Sequence, residues 1–185
     1  LVERREKILA AALDCFVENG YEGTRMQEIA SRCGTSYGLV YHYFPTKESI
    51  YCALVDVALS SARGAIENFA AGLLSGKEDG QLDSAMAMDD SPKYFLMVVE
   101  ALVRRGVPAV ASERTRAAVL EMERILEVVA RGLGKPDRKA WSESVFGVML
   151  GGAVLKGCGL SDSAHKPALS LLLAPESGKT GRSEE

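Results

Sequence analysis

TRMQEIASRCGTSYGLVYHYFPTK, residues 24–47, holds two short helical patterns around one tight turn. Thr24 and Gln27 have the spacing of a capping box, so a helix is expected to open at Thr24. Ile29 and Ala30 supply its inward face, and Gly34 ends it. Within two residues Ser36 can cap another helix, which runs through Phe44. Pro45 stops that helix, because its ring blocks continuation. Thr46 caps the next one, expected from Lys47 to about Leu74. Two short helices joined by a glycine turn form the arrangement in which the second helix lies in the major groove of DNA and the first supports it.

The second of these helices has an unusual surface. Leu39 or Val40, with Phe44, can face a core, which leaves Ser36, Tyr37, Tyr41, His42 and Tyr43 around the rest. Tyrosine offers a hydroxyl for phosphate oxygens and a ring for thymine methyl groups or sugars. Gly38 has no side chain, so the backbone can approach a groove closely. Lys47 stands at a helix start, where charge and free amides both favour a phosphate. Tyr43 is as well explained by packing against a neighbouring helix. His42 lacks the acidic or cysteine cluster that a metal ligand or catalytic base would need.

These residues resemble the TetR family of bacterial transcriptional regulators. The matching positions are Phe16, Gly20, Thr24, Ile29-Ala30, Gly34, the run Gly38-Leu39-Val40-Tyr41-His42-Tyr43-Phe44, and Lys47. The match covers about the first 50 residues, and beyond them only helical architecture and length are similar. The resemblance implies that Tyr41 and Lys47 contact phosphates. Ser36, Tyr37, Gly38 and His42 would lie at or near base edges. Thr24 would anchor the first helix of the motif to the DNA backbone, with Arg25 and Arg32 as further candidates. Residues 1–50 carry six Lys or Arg against seven Asp or Glu, so the segment is not basic overall. Binding must then come from charge placement, from helix N-termini or from an arm upstream of Leu1. Salt dependence is expected, with a smaller slope than a strongly basic binder shows.

Outward from the motif the pattern stays helical, and an all-α fold is expected. Ile8, Leu9, Ala12, Leu13, Phe16 and Val17 form one apolar face over residues 3–19, closed by Gly20. Residues 75–91 crowd Gly and Asp with little periodicity and are expected as a loop, with a short helical turn near Ala85 to Met88. Ser91-Pro92 starts a helix that ends near Gly106. Pro108 starts one that reaches about Leu133, Gly134-Lys135-Pro136 is a turn, and helices follow over 137–156 and 162–174. The division expected is a helix-turn-helix domain over 1–46, a helical effector-binding and dimerisation domain over 47–174, and a disordered tail over 175–185.

Composition excludes several classes. Apolar residues make up 47% of the chain and net charge is −3, which argues for a packed core and against a wholly electrostatic nucleic-acid binder. The longest apolar run, Val145 to Val154, is broken by glycines and too short to cross a bilayer, so no membrane partner is expected. Residues 1–20 are charged and amphipathic rather than an apolar leader, and a cytoplasmic site is expected. Cys15, Cys33, Cys52 and Cys158 form no CxxC pair, so they are read as small hydrophobes in a reducing compartment. There is no GxGxxG, Walker, HExxH or GxSxG pattern. No catalytic residue, metal or cofactor is therefore expected.

Readers of this kind work as dimers whose recognition helices enter successive major grooves. Helix 137–156 is apolar almost all round and carries Gly147, Gly151, Gly152 and Ala153, which would let another helix come close. Phe146, Leu150, Val154, Leu169 and Leu172 are the expected homodimer contacts, and the family resemblance implies pairing of the last two helices. Tyr94, Phe95, Met97, Met122, Leu126, Trp141 and Met149 are large or adaptable apolar residues suited to a small-molecule pocket. Glu100, Arg104, Glu121 and Arg124 could add polarity. The function implied is a repressor of palindromic double-stranded operator DNA, released by a small, largely apolar effector. An activator, or a helical ligand- or protein-binding bundle that no longer reads DNA, are the alternatives.

Overall fold

The computed structural model describes residues 2–75, 92–103, 106–157, 160 and 165–174. The expected turn at Ala85 to Met88, the tail 175–185, Arg104 and Cys158 lie outside the described residues. The described residues form helices and no strand: α1 Val2–Gly23, α2 Met26–Arg32, α3 Tyr37–Tyr43, α4 Lys47–Leu74, α5 Pro92–Val103, α6 Ala109–Gly132, α7 Arg138–Gly157 and α8 His165–Leu173.

Local chemistry sets most boundaries. The regular part of α1 stops at Gly20, whose φ of 70° and ψ of 173° only glycine adopts without strain. Gly34 turns the chain after α2 with φ 65°. There Thr35 N–H bonds the Ala30 carbonyl and Gly34 N–H bonds the Ser31 carbonyl, which makes a Schellman cap. Gly134 repeats this cap after α6, through Lys135 to Ala130 and Gly134 to Arg131. Ser36 caps α3 by accepting from Leu39 N–H at 3.3 Å. Thr46 and Ser49 cap α4 reciprocally. Asp137 accepts from Ala140 N–H at 3.0 Å at the start of α7.

The capping box expected at Thr24 and Gln27 is not formed. Arg25 is the N-cap of α2 and makes no side-chain cap bond. Thr24 is instead buried, and its hydroxyl donates to the Cys15 carbonyl at 3.0 Å and the Gly20 carbonyl at 2.8 Å. These carbonyl acceptors outcompete the local cap.

Apolar residues collect into two cores. The first joins Ile8, Leu13 and Phe16 of α1, Ile29 of α2, Val40 of α3, Ile50 to Leu59 of α4, and Met97, Val98 and Ala101 of α5. The second joins Ile66, Phe69 and Ala70 of α4, Met122, Leu126 and Val129 of α6, Trp141, Val145 and Met149 of α7, and Leu169 of α8. Helix α4 runs through both, so the division in packing falls within it, between Leu59 and Ile66. By length and hydropathy α4 is long and apolar enough to cross a membrane. Ile50, Leu54, Leu59, Ile66 and Phe69 are buried in these two cores, whereas Val57 and Leu74 are exposed.

Candidate nucleic-acid interface

The turn and cap around α3 aim one of its faces outward. Val40 and Phe44 are buried beneath it, and Tyr43 is half-buried against the first core. Ser36, Gly38 and His42 are exposed, and a Cβ added at Gly38 would meet nothing within 4 Å. Tyr37 and Tyr41 are 41% and 39% exposed, high values for tyrosine on a folded helix. Their hydroxyls hydrogen-bond to each other at 2.8 Å, with ring centroids 4.5 Å apart. That bond pushes the Tyr37 phenol above its ordinary pKa. Arg25, at the start of α2, is exposed too.

Behind this face the motif is tied to α1. Arg32 makes a two-pronged ion pair with Glu18, at 2.7 and 2.6 Å. The guanidinium holds the Glu18 carboxyl below the usual glutamate range and is itself pushed up. Asn19 donates to Glu28 at 2.8 Å. Arg5 sits over the Phe44 ring, 5.2 Å from its centroid.

Lys47 has a different task from the phosphate contact expected of it. Its ammonium donates to the carbonyls of Tyr21 at 2.6 Å, Thr24 at 3.0 Å and Glu22 at 3.3 Å, and lies 4.4 Å from the Tyr21 ring centroid. Partial burial pulls its pKa below the ordinary lysine value. It ties the start of α4 to the end of α1. Thr24 likewise faces inward. Of the expected contact residues, Arg25, Ser36, Tyr37, Gly38, Tyr41 and His42 are exposed, Thr24 is buried and Lys47 is half-buried.

Sequence reasoning missed the linkage from this motif to the rest of the chain. Phe16, Tyr21 and Tyr51 form an aromatic cluster with centroids 5.0–5.9 Å apart. Tyr51 donates to Glu100 of α5 at 3.1 Å. Lys93 pairs with Asp14 between α5 and α1, and Arg114 pairs with Asp56 between α6 and α4 at 2.8 Å. Each partner is far away in sequence, so no local spacing could have announced it.

Six of the seven expected pocket residues are divided between the two cores. Met97 belongs to the first core with Tyr94 packed against it, whereas Met122, Leu126, Trp141 and Met149 belong to the second. The Trp141 indole N–H is committed to the Leu172 carbonyl at 2.9 Å. Two clefts among the described residues touch the set, each through a single member. One, of about 400 Å³, lies between α1 and α5 and includes Met97. The other, of about 280 Å³, lies between α4 and α6 and includes Met122. Of the expected dimer contacts, Leu169 is 1% exposed within the chain itself, because α8 turns it onto Trp141 and Met149. Phe146, Leu150, Val154 and Leu172 are half-buried. Leu171, one residue before Leu172, is 79% exposed. Among the described residues no group of His, Cys, Asp and Glu converges as metal ligands.

An all-helical chain with a capped helix-turn-helix packed on its first helix defines the class: helix-turn-helix proteins with a helical C-terminal region. Residues 8–54 match the sequence profile of the family described as bacterial regulatory proteins, tetR family. The chain is 34% identical over 116 residues to the HTH-type transcriptional regulator RutR of Escherichia coli (strain K12), a match covering 60% of this chain and 53% of RutR. The chain thus spans about half the length of that relative. It is 41% identical over 51 residues to the HTH-type transcriptional repressor AcnR of Corynebacterium diphtheriae, covering 28% of this chain and 27% of AcnR. A TetR transcription regulator from Haloarcula marismortui shares the fold with a TM-score of 0.68 at 18% identity, over 93% of this chain and 95% of that one. Residues 8–54 thus resemble the N-terminal region of the TetR family of bacterial regulatory proteins.

Proposed function

We propose that this chain is a cytoplasmic transcriptional repressor that binds palindromic operator DNA as a homodimer and is released by a small, largely apolar effector. The observation that carries the reading is the outward face of α3. Tyr37, Gly38, Tyr41 and His42 stand exposed on a helix whose other side buries Val40 and half-buries Leu39 and Tyr43. Such a face has the size and polarity to enter a major groove and contact base edges. Ser36, at the start of α3, and Arg25, at the start of α2, are exposed as well. Named relatives act in transcription, and one is a repressor.

Dimerisation is supported by α7. Its Ala140, Glu143, Ser144, Gly147 and Gly151 are exposed, and a Cβ built at Gly147 or Gly151 meets nothing within 4 Å. Small residues at this spacing allow another helix to approach closely, and exposed Leu171 on α8 extends the apolar surface. Release by an effector follows from linkage: a ligand that prefers a conformation with badly spaced recognition helices weakens DNA binding by its differential affinity. Helix α4 is the lever, since Lys47 grips the DNA-facing motif at one end and Phe69 packs in the second core at the other.

The test is selection of bound sequences from random duplex DNA with the full chain, followed by gel shift. Enrichment of a palindrome with half-sites about one helical turn or somewhat more apart is expected. A folded dimer that enriches no motif would favour the other reading, a helical bundle that no longer reads DNA. The near-neutral charge of residues 1–50 is what favours that alternative.

A further inference from the structure

We infer that Tyr37 and Tyr41 work as one hydrogen-bonded unit that reads a single adenine in each half-site. This assignment rests on the DNA-binding reading above and specifies its chemistry.

The pair is not two independent phenols. With the oxygens 2.8 Å apart, one hydroxyl proton is spent between them. If Tyr37 donates to Tyr41, the Tyr41 proton is free to be donated outward and the Tyr37 oxygen keeps lone pairs to accept with. The opposite direction gives the mirror arrangement. Either way the pair offers one donor and one acceptor side by side. The packed rings fix that spacing, with centroids 4.5 Å apart. Both side chains lie on the exposed face of α3, one helical turn apart, next to a glycine that lets the backbone come near.

In the major groove adenine presents an acceptor at N7 next to a donor at N6, whereas guanine presents acceptors at both N7 and O6. A donor–acceptor pair matches adenine as the amide of Asn or Gln does. Tyr41 would donate to N7, N6 would donate to Tyr37, and Tyr37 would donate to Tyr41. This closes a ring of hydrogen bonds in which each strengthens the next. Guanine can be met only if both phenols donate outward. Their mutual bond is then lost and their oxygens face each other unbridged. The pair therefore selects adenine over guanine, and Tyr37 and Tyr41 are joint specificity determinants.

The experiment uses the duplex that the full chain selects. Each adenine of a half-site is replaced in turn by guanine (with its cytosine partner) or by 7-deazaadenine, which lacks the N7 acceptor. Affinity is measured for the wild-type chain, Tyr37→Phe and Tyr41→Phe. Both phenols are exposed, and phenylalanine keeps the ring. The wild-type chain is expected to lose roughly tenfold to a hundredfold at one adenine with either replacement. Both variants are expected to bind the unmodified duplex weakly and to lose the preference for adenine over guanine at that position, and Tyr41→Phe is also expected to be indifferent to 7-deazaadenine there. A wild-type chain that selects a palindrome whose base preferences persist in both variants overturns the tyrosine assignment alone. So does an equal loss by the variants on every duplex, which would place the hydroxyls on phosphates. A chain that selects no duplex overturns this assignment and the proposed function together.

Discussion

Lys47 shows how a residue's neighbours decide its task. A lysine at a helix start invites an anion, but here the donors are engaged by the carbonyls of Tyr21, Glu22 and Thr24. Charge-assisted bonds to a half-buried ammonium give Lys47→Met an expected cost of about 1–2 kcal/mol in chemical denaturation. DNA affinity should fall alike on all sequences while the slope of log affinity against log salt stays unchanged. A direct phosphate contact would instead reduce that slope by about one. Glu18 supplies a pH test. The Arg32 guanidinium holds its carboxyl below the ordinary value, so the stabilisation is fully present above the unfolded glutamate pKa and is lost as pH falls through the lowered folded one. Carboxyl-carbon NMR should show Glu18 titrating below the ordinary glutamate range in the native chain and returning to it in Arg32→Ala. An unmoved midpoint would remove the ion pair from the description. Thr24 teaches the same lesson from the other side. Its sequence neighbours predict a cap, yet the Cys15 and Gly20 carbonyls take its hydroxyl.

Whole elements were the most legible part of the sequence, because their ends are written in residues with local consequences. Gly20, Gly34, Pro45, Thr46 and Gly134 each stop or start a helix through backbone geometry or a cap that needs no distant partner. Gly20 is the strictest of these, at φ 70° and ψ 173°. Gly20→Ala is expected to lower stability by about 1–3 kcal/mol. It should also speed amide exchange at Thr24, whose N–H bonds the Gly20 carbonyl at 3.2 Å. Exchange unchanged at Thr24 would mean that the turn tolerates a side chain. What the elements hide is the phase of a nearly all-apolar helix. Leu169, Leu171 and Leu172 look alike in α8, but only packing on Trp141 and Met149 turns Leu169 inward and leaves Leu171 in solvent.

At the scale of the molecule, two cores share one long helix, and that sharing was not legible. The seven large apolar residues of the middle region suggest a single pocket in sequence, yet α5 carries Met97 to the first core, and α6 and α7 carry Met122, Trp141 and Met149 to the second. Their assortment depends on contacts across long stretches of chain, such as Lys93 with Asp14 and Tyr51 with Glu100. The outer face of α7 carries the dimer prediction. Since Gly147 and Gly151 have open space around them, Gly147→Glu with Gly151→Glu should keep the fold by circular dichroism. Sedimentation should then find the variant as a monomer where the wild-type chain is a dimer. A variant that remains dimeric would move the interface elsewhere. In the proposed function the exposed face of α3 reads DNA. The most direct measurement is the affinity for the selected duplex, against a scrambled one, of a variant carrying Tyr37→Ala, Tyr41→Ala and His42→Ala. These side chains are exposed, so the fold should persist. Preference for the selected duplex should fall to the non-specific level, a loss of about a thousandfold or more. A folded variant that keeps the wild-type preference would contradict the claim.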